Sequence, residues 1–201
     1  IDKLNGIREG TDGAQDYDLI LRASEQTEKI MHIPNVLYHW RAVEGSTALG
    51  AQEKDYAHKK SIGVLNDAVI RRKLSAEVLE TGIGAYHRLR YKLPSPEPSL
   101  SVIIPTKDRI DLLGTCLNGI LEKTNYKNFE ILIVDNNSSE ARTFEYFEMI
   151  EKNEKVSVLK FPGEFNFSAI NNFAVSKANG EIIILLNNDI EVINEGWLTE
   201  L

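Results

Sequence analysis

From residue 100 onward, apolar runs of strand length at 100–105, 129–134, 156–160 and 181–186 alternate with segments of helical spacing at 111–124, 141–151 and 168–178. The order is β-α-β-α-β-α-β, and it leaves a chain few choices. Val102-Ile103-Ile104, Ile131-Leu132-Ile133-Val134 and Ile182-Ile183-Ile184-Leu185-Leu186 are apolar without any alternation. Strands of that kind are buried on both faces, so the expectation is an α/β fold with a parallel sheet flanked by helices. Ligands of such sheets lie outside the carboxyl ends of the strands, and the residues that follow each strand are where chemistry is sought.

Those residues are polar in a consistent way. The first strand runs into Pro105-Thr106-Lys107-Asp108-Arg109, the second into Asp135-Asn136-Asn137-Ser138-Ser139 and the fourth into Asn187-Asn188-Asp189. Any one of these serves a turn or a helix cap as readily as a site, because short acids, amides and hydroxyls satisfy loop backbone themselves. Three on one sheet edge point to a ligand. A carboxylate in that place suits a hard cation, Mg2+ or Mn2+, that bridges the phosphates of a nucleotide. Neither G-x-G-x-x-G nor G-x-x-x-x-G-K-[ST] occurs, which disfavours a dinucleotide dehydrogenase and a P-loop NTPase.

Ahead of this pattern, Pro94-Ser95-Pro96-Glu97-Pro98-Ser99 carries three of the six prolines in six residues and excludes both helix and central strand. It sets a boundary: residues 1–93, a seam at 94–99, and residues 100–201. In the first part, residues 15–23 read as a helix with acids in its first turn. Lys29-Ile30-Met31-His32-Ile33, ended by Pro34, and Val36-Leu37-Tyr38-His39-Trp40-Arg41 read as two short strands. Residues 51–79 show helical periodicity broken near 72–74, and Arg71-Arg72-Lys73 reads as a solvated helix end. Residues 85–93 alternate as an edge strand or an extended linker. The N-terminal part is thus a smaller α+β piece.

Charge and cysteine narrow the function. The net charge is −7, with 14 basic and 14 acidic residues in 1–98 against 9 and 16 in 99–201. No basic stripe is available for a nucleic-acid backbone. The single cysteine, Cys116, forms neither an internal disulfide nor a zinc cage and reads as a small buried hydrophobe. No apolar run approaches the ~20 residues of a membrane span, and no leader pattern opens the chain, so the expectation is a soluble, cytoplasmic protein. Trp197 reads as a packing residue.

Taken together, Ser101-Val102-Ile103-Ile104-Pro105-Thr106-Lys107-Asp108-Arg109, the stretch from Phe129 to Ser138 and that from Glu181 to Asp189 resemble the nucleotide-sugar half of an inverting family 2 glycosyltransferase of GT-A fold. The resemblance covers nearly all of 99–201. It implies that Pro105, Thr106 and Asp108 line the pocket of the nucleotide base and that Asp135, with Asn136, contacts base or ribose. Asn187-Asn188-Asp189 stands at the family's metal-binding D-x-D position with one acid, so Asp189 would hold the metal, and Asn188 would lie against the nucleotide. Asn172 takes the place of an asparagine that faces the donor.

The first part is similar to the other end of the same family. Gln15-Asp16-Tyr17-Asp18 stands where an acidic pair precedes the acceptor-side helix, with Gln15 in place of the first acid. The resemblance makes Asp16 the general base that takes the proton of the acceptor hydroxyl. Tyr38-His39-Trp40-Arg41 and Glu44-Gly45-Ser46-Thr47-Ala48 match the family's C-terminal region, which implies His39 as a further metal ligand and Arg41 as a contact to the diphosphate. The implied reaction moves a sugar from a UDP- or dTDP-sugar to a glycan acceptor, with Mn2+ or Mg2+ as cofactor, in bacterial polysaccharide synthesis. The resemblance leaves room for a parent protein that docks peripherally on a membrane.

Because the acceptor-side tail precedes the donor-side head, the expectation is a stretch of a longer protein with two transferase domains in tandem, turning over little by itself. Two other classes stand beside this one. A non-catalytic nucleotide-binding or interaction module is suggested by Gln15 and Asn187 in acid positions. A nucleotidyltransferase would want a glycine-rich loop after the first strand, and Lys107-Asp108-Arg109 has no glycine.

Overall fold

The computed structural model describes residues 1–39, 41, 55–83 and 86–201. They form two compact units, residues 1–92 and 93–201.

The second unit is a four-stranded parallel sheet built from β3 (Leu100–Thr106), β4 (Phe129–Asp135), β5 (Val156–Lys160) and β6 (Ile182–Leu185), in the order β5-β4-β3-β6. Helices α3 (Ile110–Lys123), α4 (Ala141–Ile150) and α5 (Phe167–Val175) connect them. Val102, Ile104, Ile131 and Ile133 face Leu113, Cys116, Leu117 and Ile120 of α3 and Phe147 and Ile150 of α4. Ile103, Leu132 and Val134 face Ile170 and Ala174 of α5 on the opposite side. The two-sided cover is why the middles of β3 and β4, 102–104 and 131–134, are apolar without alternation, as the sequence led one to expect. Each fully buried isoleucine contributes about 1.5–3 kcal/mol. β6 differs: it is the edge strand, and Ile182 and Leu185 are about half exposed.

The strand order fixes where a ligand goes. From β3 the chain steps outward to β4 and β5, then returns across the sheet to β6 on the other side of β3. The reversal point is the gap between β3 and β6, and a crevice opens at its carboxyl end. Pro105 helps to open it. The Ile103 carbonyl accepts from the Leu186 N–H at 2.9 Å and the Thr106 carbonyl accepts from the Asn136 N–H at 2.9 Å. Pro105 alternates with them, so its missing N–H falls on the β6 side, beyond the last β6 pairing at Ile103. No ladder bond is lost.

At the opposite edge Glu130 pins the amino ends. Its carboxylate accepts from the Ser101 hydroxyl at 2.6 Å, the Asn179 N–H at 2.6 Å and the Asn179 amide at 3.0 Å. Gly180 passes so close that an added Cβ would lie 2.4 Å from the Ser101 nitrogen. Trp197 packs against the core, with its indole N–H donating to Thr124 at 2.9 Å.

The first unit holds α1 (Gln15–Ser24), α2 (Asp55–Arg71) and an antiparallel hairpin of β1 (Ala76–Glu80) and β2 (His87–Tyr91). Three expectations need correcting. Residues 76–79 are strand rather than helix, because β2 offers a partner for the whole length of β1. The two short strands at 29–33 and 36–41 do not form among the described residues. Ile30, Met31, Val36, Leu37 and Tyr38 are all at least 75% exposed, and a strand without a partner has nothing to satisfy its backbone. Arg71 and Arg72 are not merely solvated: both reach Glu25 after α1, Arg71 through Nε at 2.8 Å and Arg72 through Nε at 3.2 Å. The Arg71 hydrogen bond is the main reason the Glu25 carboxyl lies below its ordinary range. Trp40 and the 44–48 motif lie outside the described residues.

Candidate functional site

Thr106 and Asp135 end β3 and β4 and are direct neighbours in the parallel register. Both are buried at the carboxyl edge. The Asn188 amide donates to Thr106 Oγ1 at 3.0 Å, so the turn after β6 is tied to the end of β3 across the crevice. Three of the residues singled out at separate strand ends therefore meet at one place. The turn is also seated from below. Cys116 of α3 lies 3.8 Å from the Asn187 carbonyl. Burial pushes its thiol up to about 11, the Ile190 backbone pulls the other way, and the charge of Asp189 adds to the rise. Asp189 itself is exposed at the turn.

The loop after β3 is held in a costly shape. Asp108 and Arg109 both have positive φ, 53° and 52°, a left-handed conformation that costs roughly 1–2 kcal/mol per non-glycine residue. Bonds to the loop after β4 offset this. The Asp108 N–H donates to Ser138 Oγ at 2.7 Å, and its carboxylate accepts from the Ser139 and Glu140 N–H groups, each at 2.9 Å. Asp108 is in effect the N-terminal cap of α4, supplied from another loop. The Glu140 N–H above all, with the Ser139 N–H and the Thr143 and Ser139 hydroxyls, holds this carboxyl below its usual range against the opposing effect of burial. The Asp108 carboxylate thus bonds to backbone and hydroxyl groups of the loop after β4 and of α4.

Asn136 is similarly engaged: its amide donates to the Gly163 carbonyl at 2.9 Å and the Phe161 carbonyl at 3.4 Å, and Asn137 also donates to Gly163 at 2.9 Å. The pair ties the β4 loop to the segment after β5. Asp135 keeps more freedom. One of its oxygens accepts from the Ser138 N–H at 3.0 Å, and it is the buried carboxylate nearest to the β3–β4 edge. Pro105 is partly buried beside it.

On α5, Asn172 is exposed, whereas Asn171 is 4% exposed with its Oδ1 unpartnered, its amide donating to the Phe167 carbonyl at 2.7 Å. The sequence signal was available: Ile170, Asn171 and Ala174 stand at helical spacing on the inward stripe, and Asn172 falls off it.

In the first unit, Asp16 sits in the first turn of α1, exposed, with one oxygen accepting from the Tyr17 N–H at 2.8 Å. Its neighbour Asp18 is fully buried between Arg8 at 3.0 Å and Arg22 at 2.8 Å, and Arg22 also donates to the Leu4 and Gly6 carbonyls. That network fixes the turn that carries Asp16. The Asp18 and Arg22 spacing of four was its trace in the sequence. His39 and Arg41 are exposed and outside regular structure. No group of three or more His, Cys, Asp or Glu residues able to hold a metal ion occurs among the described residues. The donors on the turn after β6 are oxygens: one carboxylate, Asp189, beside the amides of Asn187 and Asn188. This set fits a hard cation held by a single carboxylate together with substrate phosphates and water, and not a protein cage. No helix of the described residues is long and apolar enough to cross a membrane.

Residues 101–201 match the family described as Glycosyl transferase family 2. A protein of Sinorhizobium fredii, y4gI, is 41% identical over 203 residues, covering 99% of this chain and 22% of the relative. The O-antigen biosynthesis protein RfbC of Myxococcus xanthus is 41% identical over 199 residues, covering 99% of this chain and 15% of the relative. The chain therefore spans less than a quarter of either curated relative. Among solved structures, a mannosyltransferase from Pyrobaculum calidifontis in complex with GDP-Man and Mn2+ is similar at 20% identity and a TM-score of 0.48, covering 71% of this chain and 39% of that one. Residues 1–349 of S. aureus TarS are similar at 25% identity and a TM-score of 0.45, covering 51% of this chain and 30% of that one.

Proposed function

The chain belongs to glycosyl transferase family 2, and from that premise we propose that residues 93–201 bind the nucleoside diphosphate of a sugar donor in the crevice between β3 and β6. The observation that carries the reading is the Asn188 to Thr106 hydrogen bond beside Asp135, which joins three strand ends at the point where the strand order reverses. Thr106 and Asp135 stand on the side of the base and ribose, with Pro105 as a wall, and Asn136 and Asp108 hold the two loops that shape it. Asn188 and Asp189 stand on the side of the diphosphate, and Asn172 presents its amide from α5.

Asp189 is the residue that would hold Mn2+ or Mg2+ in 93–201; in the separate transferase domain whose tail 1–92 resembles, His39 would be a metal ligand and Arg41 a contact to the diphosphate of that domain's own donor. When bound, such an ion supplies neutralisation of the charge that develops on the leaving diphosphate. In the domain whose acceptor-side tail is 1–92, Asp16 would take the proton from the acceptor hydroxyl, whose oxygen forms the new bond to the anomeric carbon on the face opposite the breaking bond to the diphosphate, giving inversion. The donor is a UDP- or dTDP-sugar and the acceptor a glycan in polysaccharide synthesis on the cytoplasmic side. RfbC, named for O-antigen biosynthesis, supports the polysaccharide product.

Calorimetric titration of UDP into the chain, with and without Mn2+ and repeated on Asp189→Ala, tests the reading. Binding that needs the metal and is lost in the variant supports it. Equally tight binding without metal, unchanged in Asp189→Ala, favours the non-catalytic nucleotide-binding module that Asn187 in an acid position allows.

A further inference from the structure

Besides the packing of β1 on α2, the hairpin β1–β2 meets α2 through two imidazoles, His58 and His87, stacked with ring centroids 4.6 Å apart and planes at 25°. We infer that this pair is a proton-sensitive latch, and that taking up a proton on it releases the hairpin from the helix.

The tautomer follows from one hydroxyl hydrogen. Ser61 Oγ donates to the His58 carbonyl at 2.7 Å and lies 2.6 Å from His87 Nε2. A hydroxyl has a single hydrogen: given to the His58 carbonyl, it leaves His87 Nε2–H to donate to Ser61, whereas turned to Nε2 it would leave a buried Nδ1–H with no acceptor, so the first arrangement is the less costly. His87 Nδ1 is then the bare nitrogen, and it is buried without a partner, as is His58 Nδ1. The same assignment rules out Ser61 as a nucleophile served by His87, because the ring is a donor towards it.

Protonating Nδ1 would bury an N–H with no acceptor and set a cation against the second ring. Among the groups around the ring, α2 offers His58 and Ser61, and β1 offers Glu80, directly opposite His87 in the strand register. Glu80 favours the charged ring, but burial first and His58 second outweigh it, and the His87 imidazole lies below its ordinary value. Arg88, the adjacent charge on the same strand, points to the other face. The rest of the contact is β1 lying along α2, where Val78 and Leu79 are partly buried and Leu89 of β2 likewise. A depressed histidine stabilises the fold above its ordinary value of 6.5, and that contribution is lost as pH falls through the lower folded value. The hairpin leads directly into the 94–99 seam.

The test is a pH titration of the whole chain from about pH 8 to pH 5. The histidine ring signals are read by NMR and the amides of 76–80 and 87–91 by hydrogen exchange, corrected for its intrinsic pH dependence. The expected result is a His87 midpoint below 6.5, with hairpin opening rising about tenfold per pH unit for each proton bound. Amides of β3 and β4 should stay protected throughout. His87→Phe, which keeps a stacked ring without a titrating nitrogen, should make hairpin protection independent of pH. His58→Phe should move the His87 midpoint upward. Hairpin protection that does not change with pH in the unmodified chain, or a pH dependence that survives in His87→Phe, overturns the inference.

Discussion

The two units use similar sequence material to different ends. In 93–201 the apolar runs find partners on both faces, and Ile103, Ile104, Ile131 and Ile133 are fully buried. In 1–92 the runs around Ile30 and Leu37 have the same composition, yet their side chains face solvent. The difference carries through to the functional residues. Thr106, Asp108, Asp135, Asn136 and Asn188 are held by one another and by neighbouring loops, whereas His39 and Arg41 stand exposed. Apolar content sets the potential to form a strand, and a neighbouring strand decides whether it forms. A site assembles where rigid elements converge.

The sharpest way to break this contrast is paired truncation followed by denaturant unfolding. Ile103→Ala should cost about 2–5 kcal/mol, while Ile30→Ala should stay within about 0.5 kcal/mol. Equal costs would mean that residues 27–39 pack in solution. Next in size, Gly180→Ala should destabilise the second unit by about 3 kcal/mol, because the new methyl meets Ser101 backbone that cannot move aside. In binding, Asp189→Ala should weaken metal-dependent nucleotide affinity at least about tenfold, ~1.4 kcal/mol, with unfolding unchanged. Asn188→Ala should cost about 1 kcal/mol of the same affinity by freeing the turn from Thr106.

The last effect is set by pH. The Asp108 carboxyl is depressed, so its support of α4 is complete above the ordinary aspartate value of 3.8 and is lost as pH falls through the lower folded value. Amide exchange in α4 should therefore quicken in acid, and Asp108→Asn should remove that dependence.

The parallel sheet was legible because strands buried on both faces leave an unbroken apolar run, and each observed strand there lies within a residue or so of the expected one. The N-terminal hairpin was not. Ala76-Glu77-Val78-Leu79-Glu80 has the composition of a helix, and only pairing with β2 makes it a strand. Strand-end chemistry was legible as position but not as division of labour. Nothing local to Asp108 says that its carboxylate caps a helix beginning at residue 141. On α5 the inward stripe marks Asn171 as the buried amide, while Asn172 stands exposed beside it. Arg71 and Arg72 looked solvated because their partner, Glu25, lies some 46 residues away in sequence.

The central claim is that the nucleotide sits at the carboxyl ends of β3, β4 and β6. Titrating UDP with Mg2+ into isotopically labelled chain and following the amide signals tests it directly. The account predicts that the largest shifts fall on Thr106, Asp135, Ser138, Asn188 and Asp189. Shifts gathered instead at the amino ends of the strands, around Ser101, Glu130 and Asn179, or no shift at millimolar UDP, would contradict it.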